Sequence, residues 1–231
     1  MQKLKNNNRI YLSGGGDKKQ SLLLDKFLFK NIPKNGSLLY IPTALIGHTL
    51  YSNTQEWIKS VLELHNRTDI QITTAKDISK FNIESLFNFD TIYIGGGNTW
   101  RLIYEFENLH FSELLIQYYK HGGNIYGGSA GAIILGKRLD TQDDINNINY
   151  NKLLGLNILQ NFSITCHYNT KLTNKYKKWT LDKKLPLICL PEDSGLIIEG
   201  DKAQCIGHTA CTIISSTGIL TNIIPGKTFS L

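Results

Sequence analysis

The chain has 231 residues and a mass of 26.1 kDa, the size of one α/β domain whose core buries roughly 70% of the unfolded chain's surface without a disulfide or metal staple. Apolar residues make up 41% and charged residues 19%, which excludes a disordered chain, and no stretch approaches the ~20 apolar residues of a membrane span. The formal charge of +6 comes from 21 Lys and four Arg beside 21 Asn; that bias suits an AT-rich genome rather than phosphate recognition, so nucleic acid is not an expected partner.

Short apolar runs alternate with longer amphipathic segments through the first two-thirds. Arg9–Leu12 predicts a strand, followed by a turn over Ser13–Gly16 and a helix near Lys19–Lys30. Ser37–Ile41 predicts a second strand, Ser52–His65 a second helix and Asp69–Thr74 a third strand. A weaker helix precedes the strand Asp90–Ile94, which ends in Gly95-Gly96-Gly97. Helical pattern returns over Thr99–Phe106 and Phe111–Lys120, before a strand at Asn124–Tyr126. Buried, non-alternating strands separated by helices predict a mostly parallel sheet covered on both faces. After Pro186 come five short strands with tight turns, Leu187–Leu190, Leu196–Glu199, Gln204–Gly207, Thr212–Ser215 and Leu220–Ile223. These are expected to extend the sheet with antiparallel strands, and residues 1–231 are read as a single domain.

The four cysteines, Cys166, Cys189, Cys205 and Cys211, sit in apolar runs without C-x-x-C spacing, which predicts reduced, buried thiols and neither a metal site nor a disulfide framework. The opening MQKLKNNNRIYLSGGG has charges but no apolar core before a cleavage site, so a cytoplasmic location is expected. Lys171, Lys175, Lys177 and Lys178 share a predicted helix with Tyr176 and Trp179 and are read as a solvated face.

Gly127-Gly128-Ser129-Ala130-Gly131 fits G-x-S-x-G, with an apolar strand running into it and Ala132–Leu135 leaving it as a helix. A nucleophile elbow needs this context, because a serine on a strained turn demands small neighbours. The helix start behind it offers free N–H groups to a developing oxyanion. Of six histidines, His48, His65, His110 and His121 precede the elbow; His167 ends the apolar run Phe162–Cys166 and is favoured as the base over His208, which ends a later strand. Catalysis gathers at the carboxyl ends of parallel strands. Asp140, Asp143 and Asp144 lie between the serine and His167, and residue physics alone does not choose among them. Gly95-Gly96-Gly97-Asn98-Thr99 also follows a buried strand and opens a helix, so its N–H groups are placed to serve as a second oxyanion donor. It lacks the Lys-Ser/Thr ending of a P-loop. Ser13-Gly14-Gly15-Gly16-Asp17 lacks the third glycine of a dinucleotide fingerprint and is read as a turn.

With GGGNT at Gly95–Thr99, GGSAGA at Gly127–Ala132, His167-Tyr168 after a strand and Leu190-Pro191-Glu192 before another, the chain resembles the peptidase E and cyanophycinase family of serine peptidases. The resemblance implies a flavodoxin-like fold akin to class I glutamine amidotransferases, with serine in place of their cysteine. It implies Ser129 as nucleophile, His167 as base and Asp144, fifteen residues after the serine, as orienter, with Asp143 where the family often has Asn. Gly97 and Ala130 match the family's oxyanion hole, and Asn98 and Lys171 are assigned to substrate binding. Peptidase E takes dipeptides with N-terminal Asp and cyanophycinase a β-Asp-Arg polymer, so the implied partner is a small peptide. No cofactor, metal or membrane is expected, and the protein is taken as a monomer or homodimer. The chain departs from peptidase E in having no Arg after Arg138, which leaves a lysine such as Lys171 or Lys175, an earlier Arg or backbone to receive a substrate carboxylate. Two alternatives stand beside the serine exopeptidase: a small α/β-hydrolase esterase served by His208 with Asp193 or Asp201, and a non-catalytic binding protein on the same scaffold. Should none of the three aspartates orient His167, Glu192 is the next carboxylate to try.

Overall fold

The computed structural model describes residues 8–231, so the reading of the first seven residues lies outside the described part. β1 (Arg9–Ser13) is followed by α1 (Leu22–Asn31), β2 (Ser37–Ile41), α2 (Thr54–Leu64), β3 (Gln71–Thr74), α3 (Ile83–Leu86) and β4 (Thr91–Ile94). Then come α4 (Thr99–Asn108), α5 (Phe111–Lys120), β5 (Asn124–Gly128) and the single turn α6 (Ala130–Ile133). After a long irregular passage follow β6 (Ser163–Thr165), α7 (Thr173–Lys183), β7 (Leu187–Cys189), β8 (Ser194–Glu199), β9 (Lys202–Gly207), β10 (Cys211–Ile214), β11 (Leu220–Ile223) and β12 (Thr228–Ser230). α1 starts later than its apolar pattern predicts. Asp17 Oδ1 accepts from the N–H groups of Lys19 and Gln20, which folds Asp17–Gln20 into a side-chain-held turn instead of a first helical turn.

The main sheet runs β12-β9-β8-β1-β5-β4-β2-β3. β1, β5, β4, β2 and β3 are parallel, and β8, β9 and β12 add antiparallel strands at the β1 side. The two faces are packed differently. Ile10, Leu12, Leu39, Ile41, Ile92, Ile94 and Ile125 face α4, α5 and α6 in an aliphatic core. On the other face Tyr11, Tyr126, Tyr93 and Tyr40 stand in register across four adjacent strands beneath α1 and α2. The Tyr93 and Tyr126 rings stack with centroids 4.0 Å apart. Alternation along a parallel strand therefore sorts aliphatic from aromatic, since both faces are buried.

The C-terminal strands correct the expectation of one extended sheet. β8, β9 and β12 do extend it, but β7, β10 and β11 join β6 in a second sheet of order β11-β10-β7-β6. β6 and β7 are apolar or buried along their whole length and need cover on both faces. Ile164, Ile188 and Cys211 pack into the aliphatic core, while Leu187, Cys189 and Ile214 are covered by Tyr168, Tyr176 and Trp179 around α7. An edge position beside β12 offers no such helix. All four cysteines are buried and unbridged, as their apolar surroundings predict. No helix among the described residues is long and apolar enough to cross a membrane.

Candidate active site

The carboxyl ends of β1, β4 and β5 open toward the residues that follow β6 and β7. Ser129 follows β5 at φ +49° and ψ −112°, a left-handed backbone that costs a non-glycine residue roughly 1–3 kcal/mol. Small neighbours make the turn possible. A Cβ on Gly127 would lie 2.5 Å from Gly131 O, and one on Gly131 2.3 Å from Ile94 O, whereas one on Gly128 meets nothing closer than 3.6 Å. The first and last glycines of the motif are thus sterically required and the middle one is not. The Ser129 N–H donates to Ser13 O (3.1 Å), and its carbonyl accepts from Ala132 and Ile133 to start α6.

His167 leaves β6 with φ +54°, and its N–H donates to Gly14 O at 2.9 Å. Its Nε2 lies 2.8 Å from Ser129 Oγ and its Nδ1 2.8 Å from Glu192 Oε1. A carboxylate only accepts, so Nδ1 carries the proton and Nε2 is free to accept from the serine hydroxyl. Gln20 Nε2 donates to the other oxygen, Glu192 Oε2, at 3.0 Å. These two hydrogen bonds, first that of His167 and then that of Gln20, hold the half-exposed Glu192 carboxyl below its usual range. His208, the competing base, makes no hydrogen bond to Ser129; its backbone N–H donates to Asp193 O.

Asp144 does not meet His167, contrary to the expectation drawn from the resemblance. Its Oδ2 accepts the Thr99 N–H at 2.7 Å, and its carbonyl accepts from Trp100 Nε1 at 3.0 Å. The unpaired N–H groups at the start of α4 draw the carboxylate, as a helix N-terminus does. Asp143 pairs with Lys175 and Asp140 with Arg138. The carboxylate beside His167 follows β7, which is the parallel neighbour of β6, so both residues emerge from adjacent strand ends. The strand-end argument that picks His167 applies equally to Leu190-Pro191-Glu192, but only the pairing of β6 with β7 brings the two together.

Asn98, expected to meet the substrate, has both ends of its amide engaged within the protein. Oδ1 caps α4 by accepting from Arg101 N–H, and Nδ2 donates to Ile145 O. Lys171 stands exposed on the turn Thr170–Leu172 and has no ion pair among the described residues. Gly97 has φ +137°, and a Cβ there would lie 2.4 Å from Ala44 O. The N–H groups of Gly96, Gly97 and Ala130 find no protein acceptor among the described residues, and a Cβ on Gly96 would come within 3.1 Å of Ser129 Cβ. Cys166 lies behind the serine, with Sγ 3.6 Å from Ser129 O, and burial pushes its thiol up, so it stays protonated. The described residues contain no group of three or more side chains placed to hold a metal ion.

The chain is similar to known proteins over most of its length. The model of Peptidase family S51 matches residues 4–206. A probable alpha-aspartyl dipeptidase of Drosophila melanogaster is 25% identical over 241 residues, spanning 96% of this chain and 92% of that protein. Peptidase E of Nostoc is 24% identical over 80% of this chain and 77% of its own length. Peptidase E of Shewanella oneidensis is 28% identical over 54% of this chain, and the alignment spans 57% of that protein. Among solved structures, a peptidase from an acI-B1 actinobacterium has a TM-score of 0.71 over 97% of both chains at 22% identity. A putative peptidase E protein from Listeria monocytogenes has a TM-score of 0.65 over 87% of this chain and 98% of its own at 21% identity. At those identities the two structures show a shared fold.

Proposed function

The chain belongs to peptidase family S51, a family of serine peptidases, and we propose that Ser129, His167 and Glu192 are its catalytic residues, acting on short peptides through an acyl-enzyme. The observation that carries this reading is the unbroken chain of hydrogen bonds from Ser129 Oγ through the imidazole to the Glu192 carboxylate. Ser129 Oγ attacks the peptide carbonyl as its proton passes to His167 Nε2, and Glu192 stabilises the imidazolium without itself taking a proton. The oxyanion of the tetrahedral intermediate is received by the N–H groups of Gly97 and Ala130, which have no protein acceptor among the described residues to compete for them. His167 returns the proton to the leaving amine, and water, activated by the same ring, releases the acyl group. The strained φ of Ser129 holds Oγ at the sheet edge for this attack.

For the substrate, we favour dipeptides, with an aspartyl residue on the acyl side as the first class to test. Support comes from the names of two relatives, an alpha-aspartyl dipeptidase and peptidase E. The chain has no Arg after Arg138, so the exposed Lys171 is the proposed receptor for a substrate carboxylate. An ammonium is a point charge without a guanidinium's fork, so tolerance of isoaspartyl and neutral dipeptides should be wider than a bidentate site would allow. A panel of Asp-X, isoAsp-X and neutral dipeptides tests this. We expect hydrolysis of at least one class, lowered by about 10⁴-fold or more in Ser129→Ala and equally in His167→Ala, with the double variant no worse. Undiminished turnover by Ser129→Ala would remove the peptidase reading, and loss in His208→Ala with retention in His167→Ala would favour the esterase.

A further inference from the structure

The glycine-rich passage after β1 forms no chemical step above, yet it touches all three proposed catalytic residues. Ser13 O accepts the Ser129 N–H at 3.1 Å, and Gly14 O accepts the His167 N–H at 2.9 Å. Gly15, at φ +107°, lies under the imidazole, where a Cβ would be 2.3 Å from His167 Cε1. Gln20 Nε2 reaches Glu192 Oε2 at 3.0 Å. The amide is fixed end for end, since its Oε1 accepts the Asp17 N–H at 2.9 Å and only the NH₂ remains for the carboxylate. Gly16 gives it room: at φ +77°, a Cβ there would lie 2.7 Å from Gln20 Oε1.

We propose that Gln20 is a positioning residue of the peptidase reaction, tying down the Glu192 oxygen that His167 does not use so that the other stays aligned with Nδ1. The proposal rests on the Ser129–His167–Glu192 reading. Glu192 is half exposed, at 46% for its side chain, and a long carboxylate side chain held by one bond rotates and exchanges that bond with water. A second charge-assisted hydrogen bond removes that freedom before the imidazolium forms, which is preorganisation in the sense that matters for catalysis. A neutral donor suits the task, because it orders the carboxylate while leaving its negative charge to the imidazolium.

The test measures kcat and KM from pH 5 to 8, on a dipeptide that the wild type cleaves, for Gln20→Ala, Gln20→Glu, Glu192→Gln and the Gln20→Ala/Glu192→Gln pair. Thermal unfolding of each variant checks that it is folded. Gln20→Ala should lower kcat by about tenfold and leave KM within about twofold, the worth of one charge-assisted hydrogen bond. The same change in the Glu192→Gln background should do almost nothing, because it acts through Glu192. Gln20→Glu sets two carboxyls against each other, and the introduced carboxyl donates only while protonated. Its activity relative to wild type should therefore rise as pH falls from 8 to 5. The low-field proton resonance of the His167 Nδ1–H should broaden in Gln20→Ala and persist in the wild type. The proposal is overturned by a Gln20→Ala variant with wild-type kcat, by a loss that survives in the Glu192→Gln background, or by a Gln20→Glu profile parallel to wild type. Glu192→Gln with wild-type kcat would instead sink the catalytic reading and this inference with it. A crippled Glu192→Gln beside a normal Gln20→Ala sinks the inference alone.

Discussion

Two loops leave the same edge of the main sheet with nearly the same letters, Ser13-Gly14-Gly15-Gly16-Asp17 after β1 and Gly95-Gly96-Gly97-Asn98 after β4. The first turns its carbonyls and an empty Cβ position toward the site: Ser13 O and Gly14 O accept from Ser129 and His167, and Gly15 leaves space for a ring. In the second, Gly95 and Asn98 donate to Ile41 O and Ala44 O, while the N–H groups of Gly96 and Gly97 have no protein acceptor among the described residues. Glycine is needed in both, for different reasons. In the first it admits a neighbouring side chain, and in the second it permits a backbone conformation that exposes donors.

Placing an alanine in each loop separates these uses and should give the largest effects. Gly15→Ala sets a methyl where the imidazole lies, and His167 can yield only by turning away from Ser129. We expect kcat to fall about 10³–10⁴-fold, close to loss of the base itself. Gly97→Ala drives a methyl against the Ala44 carbonyl, which already accepts from Asn98 N–H, so the loop should shift and lose one proposed oxyanion donor, for about 10²–10³ in kcat. Stability should rank the other way. The φ of +107° costs Gly15→Ala about 1–2 kcal/mol, while Gly97→Ala adds a backbone clash to its own positive φ and should unfold at distinctly lower urea. Kinetics and urea unfolding on the two variants read both rankings, and the same order in both assays would break the distinction.

The comparison also explains which parts of the molecule were legible beforehand. The parallel strands announce themselves because they are buried on both faces, so Ile10–Leu12, Ser37–Ile41 and Thr91–Ile94 read as continuous apolar runs. Ser129 is legible because a strained elbow restricts its neighbours, and His167 because it ends a strand. The carboxylate beside His167 is not fixed by local pattern. Asp144 and Glu192 are both polar residues beside apolar runs, and only the pairing of β6 with β7 brings one of them to His167. The split of the C-terminal strands into two sheets was equally hidden, since short buried strands look alike whether α7 or a sheet edge covers them. Nor does Ser13–Asp17 signal its part, because glycines that make room for a distant ring carry no side chain to reveal it.

Beneath the loops the contrast continues in the helices they lead into. α4 buries Leu102, Ile103 and Phe106 over the aliphatic face, whereas α1 buries Asp25 over the tyrosines, its Oδ2 accepting from Ser21 Oγ at 2.7 Å. Asp25 Oδ1 and the Tyr126 hydroxyl have no partner in the described structure. Burial outweighs the Ser21 hydrogen bond and the nearby Tyr126 hydroxyl and pushes the Asp25 carboxyl up to about 6, from an ordinary 3.8. Below about pH 4 both states hold the proton, and between about 4 and 6 only the folded state does. Stability contributed at this site therefore falls as pH rises through that window and levels off above it. Asp25→Asn removes the penalty and supplies a donor facing the unpartnered hydroxyl. It should gain about 1–3 kcal/mol over wild type at pH 8 and almost nothing at pH 4, measured by urea unfolding. An equal offset at both pH values would mean that Asp25 does not titrate in the folded protein.

The smallest expected effect is the most discriminating for the second loop. Asp144 accepts from the first N–H of α4 and anchors the passage that carries Gly97. Asp144→Ala leaves that N–H without its acceptor, which should cost about 1 kcal/mol of stability and, by loosening the loop, roughly five- to tenfold in kcat. Asp144→Asn keeps an oxygen for the same N–H, and we expect kcat within about twofold of wild type. A carboxylate that oriented the imidazole would behave otherwise, because an asparagine there favours the wrong tautomer and costs about 10⁴ in the trypsin-like case. The ratio of the two Asp144 variants therefore reports its role independently of absolute rates: alanine worse than asparagine means a helix cap, and both equally dead means a partner of His167. In the second case Glu192→Gln should be mild, since one imidazole Nδ1–H cannot be held by two acids at once.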